Sequence, residues 1–222
     1  MNLGRWEDAW SSLGRVKEVC GLDATVAYNL GVAALSSGRP LDALRYYGEA
    51  QRLGRSGSDV VIGLAEANRL LGRPVAALSL YRALSVAEPY RPEGYRGEML
   101  CLVDLERFRE AASVADRVGR MASLDHFDRD FRLGAARAYT RVGRFARAGE
   151  LLSKLMEENP FDFETILAEA ELRLRQGDVV RARKLVEKAL VMGADGSLVS
   201  DRLSGINNNE EWDSFILSIK DK

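Results

Sequence analysis

Glycine stands at residues 4, 38, 72, 143 and 177, and each is followed five residues later by an alanine: Ala9, Ala43, Ala77, Ala148 and Ala182. Glu106 with Ala111 fills the remaining slot, so the interval is 34 residues everywhere except for one step of 37. A period of this length marks an array of stacked supersecondary units. Such an array buries its apolar faces between neighbours, and each unit touches mainly the next.

Within each interval the apolar residues follow the helical period twice. Between residues 24 and 37 they are Ala27, Leu30, Ala34 and Leu35, and between 40 and 53 they are Leu44, Tyr47, Ala50 and Leu53. A glycine past the last turn closes a helix without a Cβ penalty, and a proline two residues later presets the first φ of the next one. Gly38-Arg39-Pro40 and Gly72-Arg73-Pro74 both have this form. The recurring alanine marks where the two helices of a hairpin cross closely, since a larger side chain there would overpack at a cost of about 1–3 kcal/mol.

These residues resemble the tetratricopeptide repeat, whose signature is W-x2-L-G-x2-Y, then A-x3-F, then P. Leu30-Gly31 with Ala43, Tyr47 and Ala50 is the best copy, and Ala77, Tyr81 and Pro89 add to it. The resemblance implies an all-α fold, a helical-hairpin repeat solenoid that winds antiparallel helix pairs into a right-handed superhelix. The expected organisation is a half repeat at 1–23 and whole repeats at 24–57, 58–91, 92–128, 129–162 and 163–196. A degraded first helix at 197–206 and a C-terminal capping helix at 207–222 complete it. The signature tryptophan is replaced by Ala27, Val61, Tyr95, Arg132 and Ile166, and Glu169 and Arg173 stand at apolar positions, which is expected to weaken packing in the fifth whole repeat. An ankyrin array has a similar period, but its T-P-L-H motif is absent.

The two ends differ from the middle. Gly4-Arg5-Trp6 aligns with Gly38-Arg39-Pro40, so residues 5–19 read as a second helix without its first, with Trp6 and Trp10 on the inward face. Either the chain is cut from a longer protein, or those indoles pack on a partner or on a second copy as a homodimer. At the other end Asn207-Asn208-Asn209 breaks the chain, and Trp212, Phe215, Ile216 and Ile219 then form one apolar stripe at i, i+3, i+4 and i+7. That stripe reads as a cap on the last repeat or as a tail lying in the groove.

Charge and chemistry narrow the function. Lys and Arg number 32 against 33 Asp and Glu, which favours neither a nucleic-acid partner nor a membrane surface. No apolar run is long enough to cross a bilayer, residues 1–20 lack a signal peptide's centre, and a cytoplasmic setting is expected. Cys20 and Cys101 are in no metal or redox spacing and read as buried or semi-buried thiols. The single histidine, His126, has Asp125 beside it but no nucleophile or metal set, and no phosphate-binding glycine motif occurs. The expectation is a non-catalytic protein, with no cofactor and no metal.

If the resemblance holds, the first helix of each repeat lines a concave groove for a protein or peptide segment. Carrying that geometry over places Tyr28, Val32 and Leu35 in the groove, then Ile62, Glu66, Arg69 and Leu70, then Arg96, Leu100 and Val103. Leu133, Arg137, Thr140 and Arg141 follow, and lastly Leu167, Glu171, Leu174 and Arg175. Apolar positions would hold side chains of the segment and Arg137, Arg141 and Arg175 its carboxylates; alternatively these arginines pair with Glu171 and Asp130 on a solvated face. In the family's chaperone-binding members set positions carry lysine and asparagine; here they hold Tyr28, Val32, Gly63 and Arg96, with only Asn29 and Arg96 compatible, so no dedicated binding of chaperone tails is expected. The reading is a protein–protein interaction scaffold, with a self-associating structural repeat protein or an accessory module of an enzyme or membrane complex as alternatives.

Overall fold

A computed structural model describes residues 3–206 and 210–220, with side chains from Arg5 onward. The break at Asn207-Asn208-Asn209 lies outside the described residues. Among those described there are thirteen α-helices, one 3-10 turn and no strand. They form two compact units, residues 1–106 and 107–222.

The first unit contains α1 (Leu3–Cys20), α2 (Ala24–Ser36), α3 (Pro40–Arg52), α4 (Ser58–Leu70), α5 (Pro74–Ala87) and α6 (Pro92–Asp104). Consecutive helices pack on one another, and α2, α4 and α6 lie side by side as a row of first helices. Helix starts follow from local chemistry. The Asp23 carboxylate caps α2 by accepting from the Thr25 and Val26 N–H groups at 2.8 and 2.7 Å, while Pro40, Pro74 and Pro92 open α3, α5 and α6 where no donor is missed. At the hairpin turn Gly38 takes φ 72°, and the Arg39 N–H reaches back to the Ala34 carbonyl at 2.8 Å, closing α2.

Helix α1 begins at Leu3 and runs through Gly4, which therefore lies inside a helix and makes no turn. Its inward stripe docks on α2 and α3: the Trp10 ring meets Tyr46 edge-on at 5.5 Å and lies under the Arg39 guanidinium at 5.2 Å. Trp6, a turn earlier, stays 41% exposed. Cys20, the last residue of α1, is exposed, against the expectation of a buried or semi-buried thiol. Cys101 is buried inside α6, where loss of water raises its thiol to about 12.

Close approach of helices is set by small residues. Ala43 and Ala77 are fully buried at the crossings of their hairpins. The Tyr47 ring on α3 fits between Gly31 of α2 and Gly63 of α4, where an added Cβ would stand 2.8 and 2.3 Å from it. Tyr81 on α5 fills the same role against Gly97 of α6, at 2.2 Å. These are knobs placed in holes that only glycine leaves open.

The second unit contains α7 (Phe108–Met121), the 3-10 turn Leu124–His126, α8 (Arg129–Arg141), α9 (Phe145–Glu158), α10 (Phe163–Arg175), α11 (Val179–Val191), α12 (Gly196–Leu203) and α13 (Glu210–Ile219). Ala111, Ala148 and Ala182 are fully buried. Arg132, at a signature tryptophan position, is buried and makes a two-pronged pair with Glu158 at 2.6 Å. Glu169 and Arg173 do not loosen α10: Arg173 Nε donates to the Glu169 carboxylate at 2.7 Å, one turn apart on the same helix, and Glu169 is buried. The stripe Trp212, Phe215, Ile216 and Ile219 joins Leu167 and Leu174 of α10, Val186 of α11 and Leu203 of α12 in one apolar cluster. The Trp212 indole N–H donates to the Leu203 carbonyl at 3.2 Å, tying α13 to the end of α12.

Two substitutions test this account of the backbone. Glu106 occupies the glycine slot with φ 53°, a left-handed conformation that costs a non-glycine residue about 1–2 kcal/mol. Glu106→Gly is expected to stabilise the protein by about 0.5–1 kcal/mol after the added freedom of the unfolded chain is subtracted. Reversible urea unfolding measures it; a loss of stability would contradict the strain. Gly97→Ala is expected to destabilise by about 1–3 kcal/mol through the Tyr81 ring. Gly48→Ala, inside α3 with open space around it, should stabilise by about 0.5–1 kcal/mol, and equal effects at the two sites would refute the knob-in-hole reading.

Candidate functional site

Each unit presents a face of first helices, and the two faces differ in how their charges are satisfied. In the first unit Tyr28, Val32 and Leu35 of α2 are half-buried against the cluster of Ala34, Ala43, Tyr47 and Val60. The Arg55 guanidinium lies over the Tyr28 ring at 3.9 Å and pairs with Asp59 at 2.5 Å. On α4, Ile62 is half-buried and Leu70 exposed. Glu66 accepts from Arg69 Nη2 at 2.8 Å, from Arg69 Nε at 3.2 Å and from the Tyr81 hydroxyl at 3.0 Å, and Arg69 also faces Asp104 at 3.6 Å. Arg96, Leu100 and Val103 on α6 are half-buried, and the Arg96 charge acts favourably on Glu66. Burial opposes charge on Glu66, but the bonds from Arg69 and Tyr81 outweigh it and hold its carboxyl below the ordinary range. Burial and the same carboxylate push the Tyr81 hydroxyl far above its ordinary value.

In the second unit the structure closes five expected groove residues to solvent. Leu133 and Leu167 are buried, Leu167 within the cluster completed by α11, α12 and α13, and Glu171 is 2% exposed. Thr140 and Leu174 are buried as well. These residues therefore serve the core of the unit; for Leu167 and Leu174 the cover comes from the cluster that α11, α12 and α13 complete. The arginines stay partly open. Arg141 Nη1 and Arg175 Nε both reach Glu171 Oε1, at 3.4 and 3.1 Å, so the expected pairing with Glu171 exists for these two. Asp130 pairs with Arg129 at 2.9 Å.

Arg137 takes part in neither pair. Its Nε is buried without a hydrogen-bond partner, and burial lowers its basicity, with Arg202 as the next cause. Thr140, Arg141, Leu174, Arg175 and Ile206 line a cleft of about 310 Å³ one helical turn along α8 from it. Arg202 is a residue that the repeat pattern alone does not single out as functional, though the sequence carries a signal for it. At 34- or 37-residue steps its position is occupied by Asn29, Gly63, Gly97, Gly134 and Ala168, all small or short. An arginine there breaks the pattern.

The outer side of the second unit has a wider cleft of about 1010 Å³ between α7 and α9, lined by Asp116, Tyr139, Arg144, Arg147 and Lys154 among others. Asp116 there accepts from Tyr139, Arg144 and Arg147, and Asp125 pairs with Lys154 at 2.6 Å, leaving His126 exposed and without that carboxylate. Among the described residues no group of three or more His, Cys, Asp or Glu is placed to hold a metal ion, and no helix is long and apolar enough to cross a membrane.

Paired antiparallel helices, crossing on buried alanines and closed by left-handed glycines, define a helical-hairpin repeat protein. The tetratricopeptide repeat family profile matches residues 23–92 and 133–198, more than half of the chain, and the protein belongs to that family. Among solved structures, a tetratricopeptide repeat protein from Parabacteroides merdae superposes with a TM-score of 0.70 at 18% identity, covering 99% of this chain and 93% of that one. YrrB, described as a tetratricopeptide repeat protein with an unusual peptide-binding site, gives 0.64 at 17% identity over 87% of this chain and 98% of its own. TTC0263, a thermophilic tetratricopeptide repeat protein of Thermus thermophilus, gives 0.60 at 22% identity over 82% and 98%. At these identities the likeness is one of fold. No protein of curated function matches the chain.

Glu66 ties Arg69 to Tyr81, so its loss is measurable. With a depressed folded value, its contribution is complete above the unfolded carboxylate range and is lost as pH falls through the folded one. Glu66→Gln is expected to lower stability at pH 7 by about 1–3 kcal/mol and to flatten the fall in melting temperature below about pH 4. An unchanged acid profile would show that the carboxylate is not held by these bonds.

Proposed function

We propose that the protein is a non-catalytic scaffold in which the first-helix face of each unit binds a segment of another protein, the first through apolar contacts from Tyr28, Val32, Ile62 and Leu100 and the second through charge contacts from the arginines of α8 and α10. The supporting observation is the charge balance on α8 and α10: Arg141 and Arg175 share one carboxylate, Glu171, beside an open cleft, and the Arg137 Nε is buried without a hydrogen-bond partner. An ordinary solvated face would pair its charges or expose them fully. This face does neither at Arg137. The peptide-binding site named for YrrB belongs to a protein of the same fold and lends support to a segment as ligand.

A second reading is self-association through α1, favoured by Trp6, which keeps 41% exposure although Trp10 on the same stripe is covered by α2 and α3. One partly open indole offers less apolar area than two, and the scaffold reading takes precedence.

Affinity capture with the intact chain as bait, before and after substitution, tests the scaffold. Ile62→Asp with Leu70→Asp, and separately Arg137→Glu with Arg141→Glu, are expected to reduce recovery of the captured partner at least tenfold while helicity by circular dichroism is retained. Val86→Asp with Val180→Asp, on exposed faces of α5 and α11, should leave recovery unchanged. Loss in the last pair alone would move binding to the second helices.

A further inference from the structure

Helix α5 turns an uncharged face to solvent. Val75, Ala76, Ser79, Ala83, Val86 and Ala87 are all exposed, Val75 to 65% and Val86 to 81%, and at 3.6 residues per turn they occupy an arc of about 120°. At 34- or 37-residue steps Ala76 corresponds to Asp42, Glu110, Arg147 and Arg181, and Ala83 to Glu49, Arg117, Lys154 and Lys188. Every other whole repeat carries a charge at both places, and α5 carries one at neither. The Ser79 hydroxyl donates to the Ala76 carbonyl at 2.7 Å, so covering the face leaves that donor satisfied. Tyr90, in the turn that follows, is 94% exposed. A contiguous apolar surface of this kind marks a contact with another molecule.

The pattern of the face says what covers it. A charged partner finds no charge to pair with there, whereas a second copy of the same helix is matched in both polarity and size. Two α5 helices set antiparallel about a twofold axis level with Tyr81 bring Val86 of one copy opposite Ala76 of the other, Ala87 opposite Val75, and Ala83 opposite Ser79. Each valine thus meets an alanine, and the small residues at the centre let the two helix axes approach closely. The same register brings Tyr90 to the Gly72-Arg73 turn of the other copy, where the space beside Gly72 is open and Arg73 is exposed, free to lie against the ring. We infer that the exposed face of α5 is a homodimer interface in which the helix pairs with itself. It lies on a second helix, distinct from α1 and from the first-helix faces of the scaffold reading, which stands or falls separately.

Sedimentation equilibrium of the intact chain tests this, under reducing conditions so that the exposed Cys20 does not link copies. One helix face makes a small interface, and a dissociation constant of about 1–100 μM is expected. Ser79→Glu with Ala83→Glu sets glutamates against glutamates across the axis, and Ser79→Lys with Ala83→Lys does the same with lysines. Both positions are exposed, so helicity by circular dichroism should be kept. Each double variant is expected to weaken dimerisation at least tenfold, and an equimolar mixture of the two to recover dimers, because opposite charges then face each other. Trp6→Ser should leave the constant unchanged. A wild-type chain that stays monomeric at about ten times the expected range overturns the inference. Dimerisation that survives both charged pairs overturns it too, as does loss in Trp6→Ser alone, which moves self-association to α1. Weakening without recovery in the mixture overturns the pairing of α5 with itself.

Discussion

The distance between neighbouring helices governs everything else in this protein. It is held short by residues with little or no side chain: the fully buried alanines at the hairpin crossings, and Gly31, Gly63 and Gly97 where tyrosine rings enter. At such separations backbones pack almost directly on one another, and dispersion contacts accumulate along each helix. A shift of register by one residue would bring large side chains to these points. The alternation of helix and turn is therefore fixed by volume as much as by hydrophobicity, and the left-handed glycines only supply turns short enough to let the helices meet.

Given that scaffold, the two units handle charge differently. In the first, Glu66 collects Arg69 and Tyr81, and Asp104 faces another side of Arg69, so a half-buried carboxylate is well served. In the second, Glu171 is shared by Arg141 and Arg175, and Arg137 is left over. Desolvation penalises each buried ion by several kcal/mol, whatever its sign, and only bonds with good geometry recover it. A completed network adds rigidity. An incomplete one is a place where an added ligand gains most.

The alanine register, the hairpin turns and the row of first helices are legible in the sequence because each depends on spacing, and spacing is what a one-dimensional string records best. Burial along the expected groove is less legible. Leu133, Leu167 and Glu171 occupy the same helical positions as Tyr28 and Glu66, yet they are closed to solvent, because cover is decided by which helices lie alongside and not by the helix that carries the residue. The cover of Trp10 by Tyr46 and Arg39 is hidden for the same reason: those residues belong to another hairpin, about thirty positions away. Arg202 is harder still to see, although its position is occupied by small residues in the other repeats, since a degraded repeat is recognised by what it has lost and not by what it has acquired.

Tyr47 and Tyr81 enter glycine gaps on the hairpin that follows, at Gly63 and Gly97, and Tyr47 leans also on Gly31 of its own hairpin, so the fit is a property of the joint as much as of either part. The corresponding positions in the later repeats hold Ala115, Leu152 and Val186, none of which would fill such a gap. Hairpins of the first unit are thus interchangeable only with their matched neighbours. An array lengthened or shortened by duplication must move knob and hole together, and the natural module of change in this chain is the second helix of one repeat with the first helix of the following one.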